Sequence, residues 1–152
     1  MQKEQFIHIN KFGDKSYYFD RKMTIRHRED GPAIEWHDGS KMWYLNGKRH
    51  REDGPAVEYA DGTKVWYLNN KRHREDGPAA EYASSKEWFI NGKRHREDGP
   101  AVEYADGYKE WYINGEQLTE EEFNTRMNPV ELTLDEIASK FGVSVSKLKI
   151  KK

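Results

Sequence analysis

Four copies of the octapeptide RHREDGPA contain the side chains of this sequence that could do chemistry. The copies begin at Arg26, Arg49, Arg72 and Arg94, and each supplies two arginines, a histidine, a glutamate and an aspartate. Imidazole and carboxylate groups bind metal ions and transfer protons, whereas arginine side chains bind phosphates. The octapeptide could therefore form a metal site, a ladder that binds a polyanion, or a structural corner.

The spacing of the octapeptides argues against a metal site shared between copies. His50 and Asp53 are suitable ligand types, but their equivalents in the next copy would lie two strands away, about 9–10 Å in a sheet. Ligand atoms sit only about 2 Å from a bound zinc ion. The chain also contains no cysteine, which removes thiolate ligands, disulfides and cysteine nucleophiles. We expect no metal and no cofactor.

A ladder of arginines could instead contact the phosphates of a nucleic acid. Each arginine pair is followed at once by Glu and Asp, so the octapeptide is nearly neutral, and the whole chain has a net charge of -1. A chain with this balance creates no overall field that attracts nucleic acid or an anionic membrane. Aromatic rows could stack on bases, but Trp and Tyr on an apolar face more often form a core.

The third interpretation, a structural corner, is the one that we favour. Asp53 precedes Gly-Pro and can accept hydrogen bonds in a turn, and Pro55 is suited to the start of a strand. Arginines and glutamates of neighbouring units could pair across strands. A repeat array would reuse such a corner because every unit meets the same geometry.

The chain shows neither a distinct nucleophile constellation nor a glycine-rich phosphate loop. Identical copies of one surface suit extended contact better than catalysis, so we expect a non-catalytic protein. The sequence begins without an apolar signal segment and has no run of about 18 apolar residues. We therefore expect a soluble protein of the cytoplasm.

The octapeptides belong to a repeat with a period of 22–23 residues. The tryptophans keep this period, and the one shortened unit has YASSK where another has YADGTK, which places the deletion in a turn. We predict repeat units at about 5–25, 26–48, 49–71, 72–93 and 94–117, then a capping helix at 118–128 and a tail at 129–152. The four tryptophans that keep this period are Trp43, Trp66, Trp88 and Trp111.

Two kinds of turn alternate within each unit, and both predict β-hairpins. Asp-Gly and Asn-Gly dipeptides tolerate positive φ at both central positions of a two-residue hairpin loop. Short segments rich in aromatic and β-branched residues lie between them. The fold class that follows is mostly β: an elongated, single-layer, antiparallel β-hairpin repeat array with a small α-helical tail at the C-terminal end.

Strand alternation with a two-residue Asp-Gly loop assigns each side chain to a face. The predicted apolar face consists of Ile34, Trp36, Trp43, Leu45, Val57, Tyr59, Trp66, Leu68, Ala80, Tyr82, Trp88, Ile90, Val102, Tyr104, Trp111 and Ile113. The opposite face is the candidate binding surface, which consists of Glu35, Glu58, Glu81, Glu103, Tyr44, Tyr67, Phe89 and Tyr112, with Arg51, Arg74 and Arg96 beside it. The apolar face would be covered by the corners, by curling of the sheet or by a second copy of the chain.

The segment WYLNGKRHREDGPAVEYADGTK resembles the MORN repeat, and the resemblance extends over roughly residues 16 to 117. The sequence departs from the family's usual glycines after the histidine, since Arg51, Glu52 and Asp53 intervene before Gly54. This HREDGPA type resembles repeat proteins of large tailed phages and giant viruses. The resemblance implies a scaffold or binding surface with no enzymatic activity.

The C-terminal third follows a helical pattern. Thr119 and Glu122 form a capping box at the start of the capping helix. Leu134 to Lys140 predict a second helix, and Ser144 could cap a third that ends near Leu148. This arrangement resembles a helix-turn-helix core, whose basic residues would suit DNA phosphates. The basic residues are Lys147, Lys149, Lys151 and Lys152.

These observations predict a non-catalytic, viral repeat scaffold that binds a host or viral macromolecule along one extended sheet face, and we expect that partner to be a protein. The first alternative is a nucleic-acid-binding protein that uses the basic tail. The second alternative is a protein that sequesters small nucleotides with its arginine and aromatic rows.

Overall fold

The structure is a computed structural model that describes residues 5–129 and 131–147. Within those residues the chain is mostly β, as the sequence predicts, and its strands form an antiparallel hairpin array. The strands are β1 Phe6–Ile9, β2 Lys15–Tyr18, β3 Ile34–Glu35, β4 Lys41–Met42, β5 Tyr44–Leu45, β6 Lys48–Arg49, β7 Val57–Glu58, β8 Lys64–Val65, β9 Tyr67–Leu68, β10 Lys71–Arg72, β11 Ala80–Glu81, β12 Ser85–Glu87, β13 Phe89–Ile90, β14 Lys93–Arg94, β15 Val102–Tyr104, β16 Lys109–Ile113 and β17 Glu116–Leu118.

Eleven of these strands form one continuous sheet in the order β1-β2-β3-β4-β7-β8-β11-β12-β15-β16-β17. The strands follow one another in chain order, so the sheet grows unit by unit along the sequence. Each middle unit contributes one hairpin that turns at Asp-Gly or its equivalent. The sheet is open, with β1 at one edge and β17 at the other.

The Asn-Gly turns and their Asn69-Asn70 equivalent form a second row of hairpins beside this sheet. The hairpins are β5–β6, β9–β10 and β13–β14. Backbone hydrogen bonds link one hairpin to the next: the Asn70 amide donates to the Arg49 carbonyl at 2.9 Å, and the Arg51 amide donates to the Tyr67 carbonyl at 3.1 Å. Each unit is thereby attached to its neighbours in both rows.

The Asn-Gly loops have the predicted two-residue geometry. Asn46 and Gly47 have φ of 51° and 76°, and Asn91 and Gly92 have φ of 52° and 84°. Both central residues are therefore left-handed, as a type I′ turn requires. This twist matches that of the two flanking strands, which explains why the dipeptide recurs.

The Asp-Gly loops are one residue longer than predicted. The Tyr59 amide donates to the Thr63 carbonyl at 2.9 Å, and the Gly62 amide donates to the Tyr59 carbonyl at 3.0 Å. The loop thus has three residues, 60–62, and of these only Gly62 has a positive φ, at 89°. The Asp61 carboxylate accepts a hydrogen bond from the Thr63 amide at 2.8 Å, which holds this wider turn.

The extra loop residue shifts the strand pairing by one position. Val57 pairs with Val65, and Glu58 pairs with Lys64, whereas a two-residue loop would pair Val57 with Trp66. A shift of one residue moves the side chains of the second strand to the opposite face. The predicted face assignment is therefore wrong for the tryptophan strand.

The buried core reflects the corrected pairing. Val57, Val65 and Tyr67 pack together with Ala56 and Ala80. Phe89, the equivalent of Tyr67, is also buried. The core therefore contains two aromatic side chains that the sequence analysis placed on the charged face.

Arginines of the side hairpins cover this core. The guanidinium of Arg49 lies 4.2 Å from the centre of the Tyr67 ring, and that of Arg72 lies 5.0 Å from the centre of the Phe89 ring. The apolar sheet residues beneath them are almost fully buried within the chain: Ile34, Val57, Ala80 and Val102. These side chains are therefore not the open patch that we considered for stacking of two copies.

The helix α1, Glu120–Met127, covers the β17 edge of the sheet. It has the predicted capping box between Thr119 and Glu122, and Phe123 is buried. Arg126 bonds to Glu116 of β17 at 2.8 Å. An uncovered edge strand invites pairing with other chains, and α1 lies against the two strands at this edge.

The helix α2, Leu134–Phe141, extends one residue beyond the predicted end. It has a capping box between Thr133 and Glu136 that the sequence analysis did not identify, and it ends at the left-handed Gly142. A 3-10 helix follows at Val145–Lys147. The predicted end near Leu148, and Lys149, Lys151 and Lys152, lie outside the described residues. No helix within the described ranges has both the length and the apolar character needed to cross a bilayer.

Candidate functional site: the arginine corners

The second arginine of each octapeptide is the centre of a hydrogen-bonded corner. In the second corner, Arg51 Nε donates to Asp53 at 2.9 Å, and Arg51 Nη1 donates to the Pro55 carbonyl at 3.2 Å and to Glu58 at 3.0 Å. The fork of the guanidinium thus joins both ends of the turn to the strand that follows. One side chain fixes the path of the chain through REDGPAVE.

The same contacts recur in the other three corners. Arg74 bonds to Asp76, Pro78 and Glu81 at 2.8, 3.3 and 3.1 Å. The corners around Arg28 and Arg96 have the same set of partners, at 2.6–3.2 Å. Each corner arginine bonds to a glutamate of its own unit, whereas the predicted pairing between neighbouring units is found at Arg94, which bonds to Glu87 of the preceding unit at 3.2 Å.

An aromatic ring of the preceding unit lies beneath each guanidinium. Arg51 stacks on Trp43, Arg74 on Trp66 and Arg96 on Trp88, with distances of 4.0–4.1 Å to the ring centres. A cation over an indole face is attracted by the ring quadrupole. The tryptophan therefore links adjacent units, on the side that carries Glu58 and its equivalents.

The glycine of each corner lies close to the guanidinium of the corner arginine. A Cβ added at Gly54 would lie 3.0 Å from Cζ of Arg51, and one at Gly77 would lie 3.0 Å from Cζ of Arg74. Contacts this short force the guanidinium to move. The repeated Asp-Gly-Pro is thus explained by packing against arginine.

The charges of the corner are arranged with the arginine inside and the acids outside. The corner arginines are only 19–23% exposed, whereas the octapeptide glutamates and aspartates are 73–85% exposed. The octapeptide is therefore neutral in sequence but acidic at its surface. Four such corners form a row of exposed carboxylates along the array, which we call the acidic row.

Bonding to arginine changes the acidity of the corner aspartates. The side-chain hydrogen bond from Arg51 holds the pKa of Asp53 below its ordinary value, and Arg28, Arg74 and Arg96 do the same for Asp30, Asp76 and Asp98. A carboxyl whose pKa is lower in the folded state stabilises the fold above its unfolded pKa. That contribution is lost as the pH falls through the folded value.

We therefore expect acid to weaken the array below about pH 4, the ordinary pKa range of aspartate. A variant with Asp30, Asp53, Asp76 and Asp98 all replaced by asparagine should be less stable at neutral pH and should lose less stability on acidification. Thermal unfolding followed by circular dichroism from pH 7 to pH 2 measures both effects. A matched variant with Glu29, Glu52, Glu75 and Glu97 changed to glutamine should keep the acid dependence of the native chain. Equal acid dependence in the asparagine variant would contradict the assignment.

The octapeptide histidines hold the side hairpins. The backbone amide of Asn46 donates to Nδ1 of His27 at 3.0 Å, and that of Asn114 donates to Nδ1 of His95 at 3.0 Å. Since Nδ1 accepts, the neutral ring carries its proton on Nε2. Within the described residues, no three His, Cys, Asp or Glu side chains are grouped to hold a metal ion.

The structure divides the predicted binding surface between two sides of the array. Glu35, Glu58, Glu81 and Glu103 do lie beside the corner arginines, but each is bonded to one of them. Tyr67 and Phe89 are instead buried on the other side. The exposed acidic groups are those of the octapeptide itself, which the sequence analysis did not select.

A second polar network lies beneath the last two side hairpins. Arg94 bonds to Glu87 at 3.2 Å and to Glu110 at 3.4 Å. Tyr112 donates to Glu110 at 2.9 Å, and burial together with this bond raises the pKa of the Tyr112 hydroxyl. The sequence contains a sign of this network, because the residue before each tryptophan changes from Met42 and Val65 to Glu87 and Glu110.

A groove lies between the first two corners. Its volume is about 760 Å³. Trp43 and Leu45 contribute apolar surface, and the acidic octapeptide residues contribute charge. The lining residues of the two corners are Arg28, Glu29, Asp30, Gly31, Pro32, His50, Arg51, Glu52 and Asp53. The groove therefore offers a mixed surface to a partner.

Comparison with protein-family models and with curated proteins gives no match for this chain.

Proposed function

We propose that this chain is a non-catalytic, MORN-like repeat scaffold that binds a protein partner along its row of corners. The main support is the outward row of octapeptide carboxylates, which are 73–85% exposed while the arginines beside them are held inside. Charge complementarity then favours a partner with a basic surface.

The repeat spacing supports an extended contact. Adjacent corners are two strands apart in the main sheet, which corresponds to about 9–10 Å. A partner that reaches several corners gains from each of them, and such repeated weak contacts raise the overall affinity. The resemblance to proteins of large tailed phages and giant viruses extends the proposal to a viral protein that acts on a host or viral target in the cytoplasm.

A pull-down with matched charge-reversal variants tests this function. Glu75→Lys with Glu97→Lys places two positive charges on the corner row, at glutamates that lie beside His73 and His95, at 3.6 and 3.5 Å. Glu120→Lys with Glu121→Lys makes the same change of charge on α1, away from the corners. We expect the native chain and the α1 variant to recover the same protein partner from nuclease-treated bacterial lysate, and the corner variant to lose it.

Two results would contradict the proposal. Full recovery by the corner variant would mean that the acidic row is not the binding surface. Recovery that disappears on nuclease treatment would favour the nucleic-acid-binding alternative.

A further inference from the structure

The two edges of the main sheet differ in what lies against them. At the β17 edge, α1 lies against β16 and β17 and buries Phe123. At the other edge, β1 pairs with β2 alone, and Ile7 and Ile9 are 50% and 59% exposed. Within the described residues, the array therefore has one edge covered by a helix and one edge that is open.

The first hairpin presents an apolar surface at this open edge. Ile7 and Ile9 lie on the same face of β1, because alternate residues of a strand share a face. Phe12 is exposed in the turn that follows. We call these three residues the edge face. An exposed apolar edge strand is a site at which another chain can pack.

The helix α2 presents a second exposed apolar surface. Leu134 and Phe141 lie seven positions apart, which places them on one side of a helix, and they are 46% and 70% exposed. Val143, just after the helix, is also exposed. We call these three residues the tail face. The helix α1, which is equally long and is capped in the same way, buries its phenylalanine against a sheet edge.

The charges at the Leu134 end of the tail face are complementary to those of the first hairpin, whereas Lys140 is exposed at the Phe141 end. Lys11 and Lys15 are exposed in the first hairpin, and Lys11 Nζ lies 4.9 Å from the centre of the Phe12 ring. Glu131 and Asp135 are exposed beside Leu134 in the tail. Opposite charges around an apolar contact favour one partner and one orientation.

The tail face is too far from the edge face of its own chain. The open sheet has eleven strands, so its edges are about 48 Å apart at about 4.8 Å per strand. The connection from Met127 to Leu134 spans at most about 25 Å, and α2 adds about 12 Å. A contact between the tail face and an edge face therefore has to join two copies of the chain.

We propose that copies of this protein associate head to tail, with the tail face of one copy packed on the edge face of the next. The helix α2 then covers β1 of the neighbouring copy in the way that α1 covers β17 of its own. Because the two faces differ, the contact is heterologous and leaves a free face at each end. Association of this kind grows with concentration and does not stop at a dimer.

A complementation experiment on the full chain tests the proposal. Phe141→Gln removes the tail face but leaves the edge face, and Ile9→Thr does the reverse while keeping a β-branched residue in the strand. Both side chains are exposed, so neither change should unfold the chain, and circular dichroism verifies this. Tyr108→Ser, at another exposed aromatic residue, is the control.

Sedimentation equilibrium measures the apparent mass. For the native chain and the Tyr108 variant, we expect this mass to rise with concentration above that of one chain, 18.0 kDa. Each face variant alone should stay at that mass. An equimolar mixture of the two should reach twice that mass and stop there, since each contributes one intact face. The proposal is overturned if the native chain stays monomeric, if either variant alone still associates, or if the mixture stays monomeric.

Discussion

Replacing Phe89 with alanine is expected to lower the free energy of unfolding by about 3–5 kcal/mol, the usual cost of removing a buried aromatic side chain. Phe89 is 8% exposed and lies beneath the guanidinium of Arg72. The substitution opens a cavity between the side hairpin and the main sheet. Denaturant unfolding followed by tryptophan fluorescence measures the change.

An exposed aromatic residue provides the control for this substitution. Tyr108→Ala removes a ring of similar size from a side chain that is 61% exposed, and we expect a change within about 0.5 kcal/mol. If Phe89 lay on the solvated charged face, where the sequence analysis placed it, the two substitutions would have similar effects. Equal effects would therefore contradict the strand pairing described above.

Replacing Arg74 with alanine is expected to lower the free energy of unfolding by about 2–3 kcal/mol, because charge-assisted hydrogen bonds are lost together with the stacking on Trp66. The guanidinium bonds to Asp76, the Pro78 carbonyl and Glu81. Removing it also leaves two carboxylates close together without their cation. Denaturant unfolding measures the loss.

Replacing Arg74 with lysine separates the contribution of the guanidinium's planar geometry from that of its positive charge. An ammonium group keeps the positive charge but cannot reproduce the planar fork or its stacking, so Arg74→Lys should recover less than half of the lost stability. Glu75→Ala, at the exposed neighbour, should have an effect within about 0.5 kcal/mol. Full recovery with lysine would show that charge alone maintains the corner.

The corner explains why the octapeptide recurs with so little variation. Arg51 bonds to Asp53, the Pro55 carbonyl and Glu58, and a Cβ at Gly54 would press on its guanidinium at 3.0 Å. Four other positions of the repeat are thus coupled to the guanidinium of one arginine. A substitution at any of them affects the contact with the tryptophan of the preceding unit.

Local features of the chain were predicted correctly from sequence. The Asn-Gly dipeptides specify type I′ loops, because few residues tolerate positive φ at both positions. The capping box at Thr119 specifies the start of α1. In both cases the determining interaction lies within a few residues of the chain, so the local sequence contains the information.

The length of the Asp-Gly loop was not predictable in the same way. Asp-Gly suits a two-residue loop and also a three-residue loop with glycine in the left-handed position. The choice depends on which side chains become buried, and burial of Val65 and Tyr67 beside Val57 stabilises the longer loop. One residue of difference then moved Trp66 to the side of the arginines.

By itself, the sequence determined the hairpin array, its period, the Asn-Gly turns and the helix that covers the last strand, since each depends on backbone preferences of short segments. Only the tertiary structure decided which face is buried, which glutamate each arginine bonds to, and how Glu87 and Glu110 are joined through Arg94. Those features depend on contacts between residues that are distant in the chain. The free energies of these contacts depend on how the whole array packs. The turn and strand preferences of short segments contain no information about that packing.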